Sequence, residues 1–159
     1  MDKRPYYPQT MHLRELTPSE LPQLLTLYQH LHDKDDPLPP NHVIHSTWQT
    51  IQSHPAFRYF GGFIDDALVS SCTITLIPNL TRNCRPYGLI ENVVTHTDHR
   101  GNGYGRQLLQ HVLNFAWQQN CYKVMLMTGR LNEKTFHFYE SVGFNRHTKQ
   151  AFIAKPSSH

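Results

Sequence analysis

Apolar residues recur with two different periods along this chain, and the switches between them outline its elements. Residues 11–16 alternate briefly and predict a first strand. Thr17-Pro18-Ser19-Glu20 then combines a capping box with proline at the first helical position. Leu21, Leu24, Leu25 and Tyr28 follow at i, i+3, i+4, i+7 spacing, so a helix is predicted to about residue 32. The proline-rich stretch 35–40 stops it. Ile44, Trp48 and Ile51 predict a second helix over 41–53. Residues 57–64 and 67–77 are rich in aromatic and β-branched side chains around Asp65-Asp66, which predicts an antiparallel hairpin. A polar loop, 78–86, leads to a strand over 89–95 and a glycine-rich turn. Leu109, Val112, Leu113 and Ala116 predict a helix after that turn. A strand is predicted over 122–127, a helix from Asn132 to Val142 stopped by Gly143, and one or two terminal strands from Phe144 onward. The order is that of a mixed α/β sheet with helices on both faces.

At 159 residues, the chain suits one domain able to bury a core without disulfides or a structural metal. We expect a loose arm over 1–10 and a single domain over 11–156. With 38% apolar and 17% charged residues it has an ordinary globular balance. No window reaches the ~20 apolar residues of a membrane helix, and the N-terminus lacks the apolar core of a secretory signal. Three cysteines, without CxxC spacing, read as reduced thiols of a cytoplasmic protein. The twelve histidines show no zinc-ligand spacing, and no metal is expected. The net charge of +3 comes from scattered lysines and arginines, not from the basic run of a nucleic-acid binder. It also suits an anionic cofactor or substrate.

The most informative segment is Arg100-Gly101-Asn102-Gly103-Tyr104-Gly105, between a strand and a helix. Glycine admits positive φ and close approach of a ligand, and the amides of such a turn, with the helix N-terminus, form an anion cradle. A tight helix start without a ligand remains open on this segment alone. A dinucleotide fold would need G-x-G-x-x-G and an acid ending the next strand, and a Walker loop would need Gly-Lys-Ser/Thr. Neither is present.

The run Arg100 to Gly105 resembles the acyl-CoA motif of the GNAT N-acetyltransferase superfamily, Arg/Gln-x-x-Gly-x-Gly/Ala, and it follows the strand Ile90-Glu91-Asn92-Val93-Val94. Asn132 and Tyr139-Glu140-Ser141-Val142-Gly143-Phe144 resemble the Asn…Tyr-x-x-x-Gly-Phe helix of the same family. The likeness is clearest over 57–144. Within the superfamily the chain is most similar to the glucosamine-6-phosphate N-acetyltransferase branch, although that branch has Glu-Asp where Glu91-Asn92 stands.

This resemblance implies the GNAT fold, with a central, mostly antiparallel sheet in which a bulge splays the motif strand from the next and opens a V-shaped slot for the thioester. It implies transfer of an acetyl group from acetyl-CoA to a primary amine, by direct attack in a ternary complex. Val93, Val94 and Thr95 are expected to meet the pantetheine arm through their main chain. Arg100, Gly101, Asn102, Gly103, Tyr104, Gly105 and Arg106 are expected around the pyrophosphate, and Asn132 and Tyr139 at the thiol end. Tyr139 is the candidate acid for the departing thiolate, its alternative role being a core tyrosine. Glu91 is the candidate base; period-two alternation places it with Leu89 and Val93, and an ion pair with Arg82 or Arg85 is its structural alternative. Leu80, Thr81, Arg82, Glu91, Asn92 and Arg130 are candidate acceptor contacts. Arg82, Arg85 and Arg130 suit an acceptor phosphate, Asp35 and Asp36 a cationic amine. The expected acceptor is a small amine such as an amino-sugar phosphate. A protein or peptide amine, or a non-catalytic acyl-CoA sensor, are the alternatives. The superfamily also makes a homodimer the candidate assembly.

Overall fold

The computed structural model describes residues 9–157, so residues 1–8 of the expected arm lie outside the described residues. Five strands form one sheet in sequence order: β1 (His12–Glu15), β2 (Phe57–Ile64), β3 (Ala67–Ile77), β4 (Tyr87–Thr95) and β5 (Val124–Leu126). The first four run antiparallel, and β5 joins β4 in parallel. Asp65 and Asp66 take positive φ (47° and 64°), the backbone that matches a two-residue hairpin turn to strand twist.

Helix α1 (Leu21–Tyr28) follows a 3-10 turn at Pro18–Glu20 and precedes α2 (Asn41–Ser53). The Glu20 carboxylate accepts from the Thr17 N–H at 2.7 Å, as the capping box requires. Both helices cover one face of the sheet, where Leu21, Leu24, Leu27 and Trp48 pack on Leu16, Phe63, Leu68 and Val94. Helix α3 (Tyr104–Gln118) covers the other face, with Leu108, Leu109, Val112 and Ala116 on Phe60, Cys72, Ile74 and Ile90. Phe138 and Tyr139 of α4 (Glu133–Glu140) pack against the same cluster. Gly143 follows α4 at φ +109°, and the Phe144 N–H returns to the Tyr139 carbonyl. The turn is therefore the glycine stop expected there.

Two expectations are corrected. Helix α1 ends at Tyr28 and continues only as single turns to Leu31. No strand follows α4 among the described residues. Ala151 to Ala154 is a short apolar run between polar flanks, and its Phe152 (90% exposed) and Ile153 (73%) pack on no face of the sheet.

Candidate functional site

The sheet opens where β4 and β5 part. Their pairing ends at Ile90–Leu126, whereas β4 continues to Thr95 with only β3 beside it. A bulge enforces the break. Ser71 pairs with Val94 and Thr73 with Glu91, so Asn92 and Val93 together oppose Cys72. Asn92 carries the extra residue at φ +52°, a conformation that asparagine tolerates better than most side chains. Hydroxyls on β3 hold both sides of it: Ser70 Oγ donates to the Val94 carbonyl (3.0 Å), and Thr73 Oγ1 to the Glu91 carbonyl (3.2 Å).

The bulge also changes which face each residue meets. Val93 packs with the cluster of Ile90. Glu91 pairs with Thr73, which alternates with the inward Cys72 and Ile74, so its side chain lies on the opposite face. The expected grouping of Glu91 with Val93 is corrected accordingly. Glu91 is exposed and makes no ion pair with Arg82 or Arg85.

Beyond the opening lies a cavity of about 880 Å³. Glu91, Asn92, Val93, Val94 and Thr95 form one wall, and Asn132, Phe138 and Tyr139 the facing one. Its far end is the glycine turn, where Arg100, Gly101, Gly103, Tyr104, Gly105 and Arg106 line it. Gly101 and Gly103 have φ of +81° and +78°, with no atom within 4 Å of where a Cβ would stand. First-turn N–H groups of α3, those of Gly105 and Arg106 among them, have no acceptor within the helix, and the helix dipole adds positive potential. These features fit a diphosphate.

Some expected contacts are directed elsewhere. Arg100 donates from Nε to the Thr95 carbonyl (3.0 Å) and from a terminal nitrogen to the His30 carbonyl (2.9 Å). Arg130 likewise reaches the Leu31 carbonyl at 2.9 Å. The two arginines thus tie the segment after α1 to the cavity's lining. The Asn102 amide bonds the His99 carbonyl and does not line the cavity. The Tyr104 ring is buried with Met11, Ile64 and Val69. Asn132 caps α4, its Oδ1 accepting from the Thr135 N–H at 2.9 Å.

Leu80, Thr81 and Arg82 lie away from the cavity. Their loop precedes β4 at the opposite end of that strand, with Arg82 over the Tyr122 ring. Arg85 is tied to the carbonyls of Asn120 and Cys121. Asp35 and Asp36 are exposed and outside the lining. Sequence reasoning missed His30, Leu31 and His32 after α1, together with Thr128 and Lys134. No local motif marks them: His30 and Leu31 are met by Arg100 and Arg130, 70 and 99 residues further along the chain.

Tyr139 is half-buried, and burial raises its pKa, helped by Cys72 and Glu91 and opposed by Arg130. It therefore keeps its proton at neutral pH and remains a donor. Glu91 and Arg130 are close enough to act on it, so tyrosine, carboxylate and guanidinium share one end of the cavity. Around the glycine turn His30 and His96 lie with ring centroids 4.1 Å apart. Burial first, then His96 and Arg100, lower the His30 pKa.

A parallel pair of strands splayed at a bulge, with a glycine turn beyond it, carries a family signature, and the comparisons agree. The profile described as Acetyltransferase (GNAT) family matches residues 21–144. The chain belongs to that family. A solved structure of a putative acetyltransferase from Agrobacterium tumefaciens superposes with a TM-score of 0.84 at 39% identity, covering 91% of this chain and 99% of that one. The glucosamine 6-phosphate N-acetyltransferase of Trypanosoma brucei brucei is 36% identical over 83 residues, which are 52% of this chain and 54% of that protein. Glucosamine 6-phosphate N-acetyltransferase 1 of Dictyostelium discoideum is 33% identical over 76 residues, 48% of this chain and 46% of that protein. The match thus spans about half the length of these curated relatives. Among the described residues no helix is long and apolar enough to cross a membrane, and no group of three His, Cys, Asp or Glu could hold a metal.

Proposed function

We propose that this protein transfers the acetyl group of acetyl-CoA to a primary amine by direct attack within a ternary complex. The observation that carries the reading is the slot itself: an unpaired edge of β4 leads from the glycine turn to Tyr139. The first-turn amides of α3 would hold the diphosphate of acetyl-CoA. The main chain of Val93 and Val94 would bond the pantetheine arm as an added strand does. Thr95 is less suited to this, because its carbonyl already accepts from Arg100.

Glu91, exposed on the slot wall, takes a proton from the acceptor's ammonium directly or through water. The neutral amine attacks the thioester carbonyl to give a tetrahedral oxyanion. Its collapse breaks the C–S bond as Tyr139 donates its phenolic proton to the departing thiolate, and the second proton of the attacking nitrogen passes through water to the tyrosinate, leaving a neutral amide and the CoA thiol. Holding amine and thioester ~3–3.5 Å apart supplies ~7–11 kcal/mol of the barrier by positioning alone.

The names of the curated relatives support an amino-sugar phosphate as acceptor. The reading treats residues 11–156 as one catalytic domain and places it in the cytoplasm, which suits three unpaired cysteines. It also includes a homodimer, for which the exposed Phe152 and Ile153 offer apolar surface.

The test is release of CoA thiol by purified protein given acetyl-CoA and a panel of amino-sugar phosphates, unphosphorylated amino sugars, polyamines and peptide amines. Amine-dependent release is expected. Thiol release no faster than spontaneous hydrolysis with every amine refutes the reading.

A further inference from the structure

The last residue of α1 carries an unusual group, packed in the helix layer behind β4. The Tyr28 hydroxyl oxygen is buried and forms no hydrogen bond. Its ring packs in the cluster of Trp48, Leu68 and Val94, on the face of the sheet toward which Glu91 points. An unpartnered buried hydroxyl is costly, ~1–3 kcal/mol, and rare enough to call for a reason. Val94, in the cluster that holds the Tyr28 ring, stands two residues beyond the bulged Asn92 on β4, so the Asn92 amide neighbours the Tyr28 oxygen and acts on it, although not in the geometry of a formed bond.

Asn92 is the bulged residue of β4. Its side chain is exposed and lines the cavity beside Glu91. A primary amide has one donor end and one acceptor end. Turning the donor end to Tyr28 leaves the acceptor end facing the slot. An oxygen there and the Glu91 carboxylate would form two adjacent acceptors on one wall, opposite Tyr139. A protonated primary amine carries three N–H donors and suits such a pair. It would be held on the β4 side while the thioester lies between it and Tyr139.

We propose that Tyr28 is a positioning residue for the acceptor: its oxygen takes the Asn92 amide N–H and so turns Asn92 Oδ1 toward the slot, where it binds the acceptor's ammonium together with Glu91. This role rests on the acetyl-transfer reading. It adds a second polar contact for the amine, held in place from the helix layer behind the sheet. It concerns acceptor binding and leaves the cofactor's site untouched.

The test compares KM for acceptor and for acetyl-CoA, and kcat, in the wild type, Tyr28→Phe, Asn92→Gly, the double variant and Tyr59→Phe. Asn92→Gly removes the amide and keeps the positive φ without strain. Tyr59→Phe removes a different phenol from the same cluster. Tyr28→Phe and Asn92→Gly are each expected to raise acceptor KM about 3- to 10-fold, the loss of one hydrogen bond, with kcat and the acetyl-CoA KM within about twofold. The double variant is expected to be no worse than Asn92→Gly alone. Tyr59→Phe is expected to leave acceptor KM in place. The proposal is overturned if Tyr28→Phe leaves acceptor KM unchanged, if the two losses add, or if Tyr59→Phe raises it equally. A wild-type protein without turnover overturns the acetyl-transfer reading itself, and is recognised before any variant is made.

Discussion

The diphosphate cradle can be tested at two glycines two residues apart whose surroundings differ. Gly103 is the N-cap of α3 at φ +78°, with open space where a Cβ would stand. Alanine there meets no steric obstacle, so its cost is conformational, about 1–2 kcal/mol for a left-handed L-residue. In a chain of this size that lowers Tm by about 2–8 °C. Relief of the strain moves φ toward negative values and turns the amides of the cradle apart. Loss of one charge-assisted hydrogen bond of about 1.5–3 kcal/mol weakens CoA about 10- to 100-fold.

Gly105 is helical, and alanine would gain about 0.5–1 kcal/mol in helix propensity there. Its Cβ, however, would stand 3.2 Å from both Phe138 Cζ and Thr95 Oγ1, one on each wall of the slot. Thr95 Oγ1 is held by Ser70 Oγ at 2.9 Å, so the displacement falls on Phe138 and on the helix that carries Tyr139. Gly105→Ala should therefore lower kcat more than CoA affinity. Calorimetric titration with CoA, thermal unfolding and initial rates separate the two cases. Gly103→Ala with CoA affinity within about twofold of wild type would refute the cradle.

Tyr139→Phe should lower kcat by about 10²–10⁴ while CoA affinity holds, the signature of a lost general acid; an equal loss in both assigns Tyr139 to packing or binding. Glu20 accepts from both terminal nitrogens of Arg14 (2.6 and 2.9 Å), and this pairing above all holds its pKa down at about 2 against an ordinary 4.5. A depressed carboxylate stabilises the fold above its unfolded pKa and loses that contribution as pH falls from 4.5 through 2. The full shift corresponds to about 3 kcal/mol. With the Arg14 side chain 44% exposed, screening leaves about 1–2 kcal/mol. Between pH 5 and 2.5 the wild type should lose about 2–8 °C of Tm more than Glu20→Gln; parallel losses would remove Glu20 from the account. Arg100→Ala should weaken CoA through disorder of residues 30–32, and hydrogen exchange of those amides should rise with it. Unchanged exchange would mean that the tie does not hold the segment.

The fold and the glycine turn were legible because they rest on local rules. Thr17 and Glu20 announce a helix start, Gly143 a helix stop, and Arg100 to Gly105 a turn that only glycine-rich sequence can form. Asn92 is different. The family resemblance implies a bulge in this strand, but nothing in Ile-Glu-Asn-Val-Val says where it falls, so strict alternation assigned Val93 to the wrong face. The bulge depends on hydroxyls of Ser70 and Thr73, some twenty residues earlier. The loop of Leu80, Thr81 and Arg82 misled for another reason. It is near Glu91 in sequence, but Tyr87 to Glu91 extends roughly 13 Å along a strand, and the loop stays at the far end. Tyr28 was visible only as the fourth position of an apolar stripe, where a tyrosine with an unpartnered oxygen looks like any core aromatic.

The placement of the arginines changes how the charge of the slot should be understood. From sequence, Arg82, Arg85, Arg100 and Arg130 were candidates for phosphates. In the structure three of the four donate to main-chain carbonyls, and Arg82 lies over Tyr122. The diphosphate would then be held largely by main-chain amides and the helix dipole, with Arg106 beside them. An acceptor phosphate has a more demanding requirement. Among the cationic side chains that line this slot are Lys134 and Arg130, and the Arg130 guanidinium, with five N–H donors, uses only one group on Leu31. If the acceptor is an amino-sugar phosphate, the remaining donors of Arg130 can take its phosphate while the tie to Leu31 holds. Arg130→Ala should then discriminate against the phosphorylated acceptor over its unphosphorylated counterpart. If Arg130 meets no acceptor phosphate, Arg130→Ala should affect both amines alike.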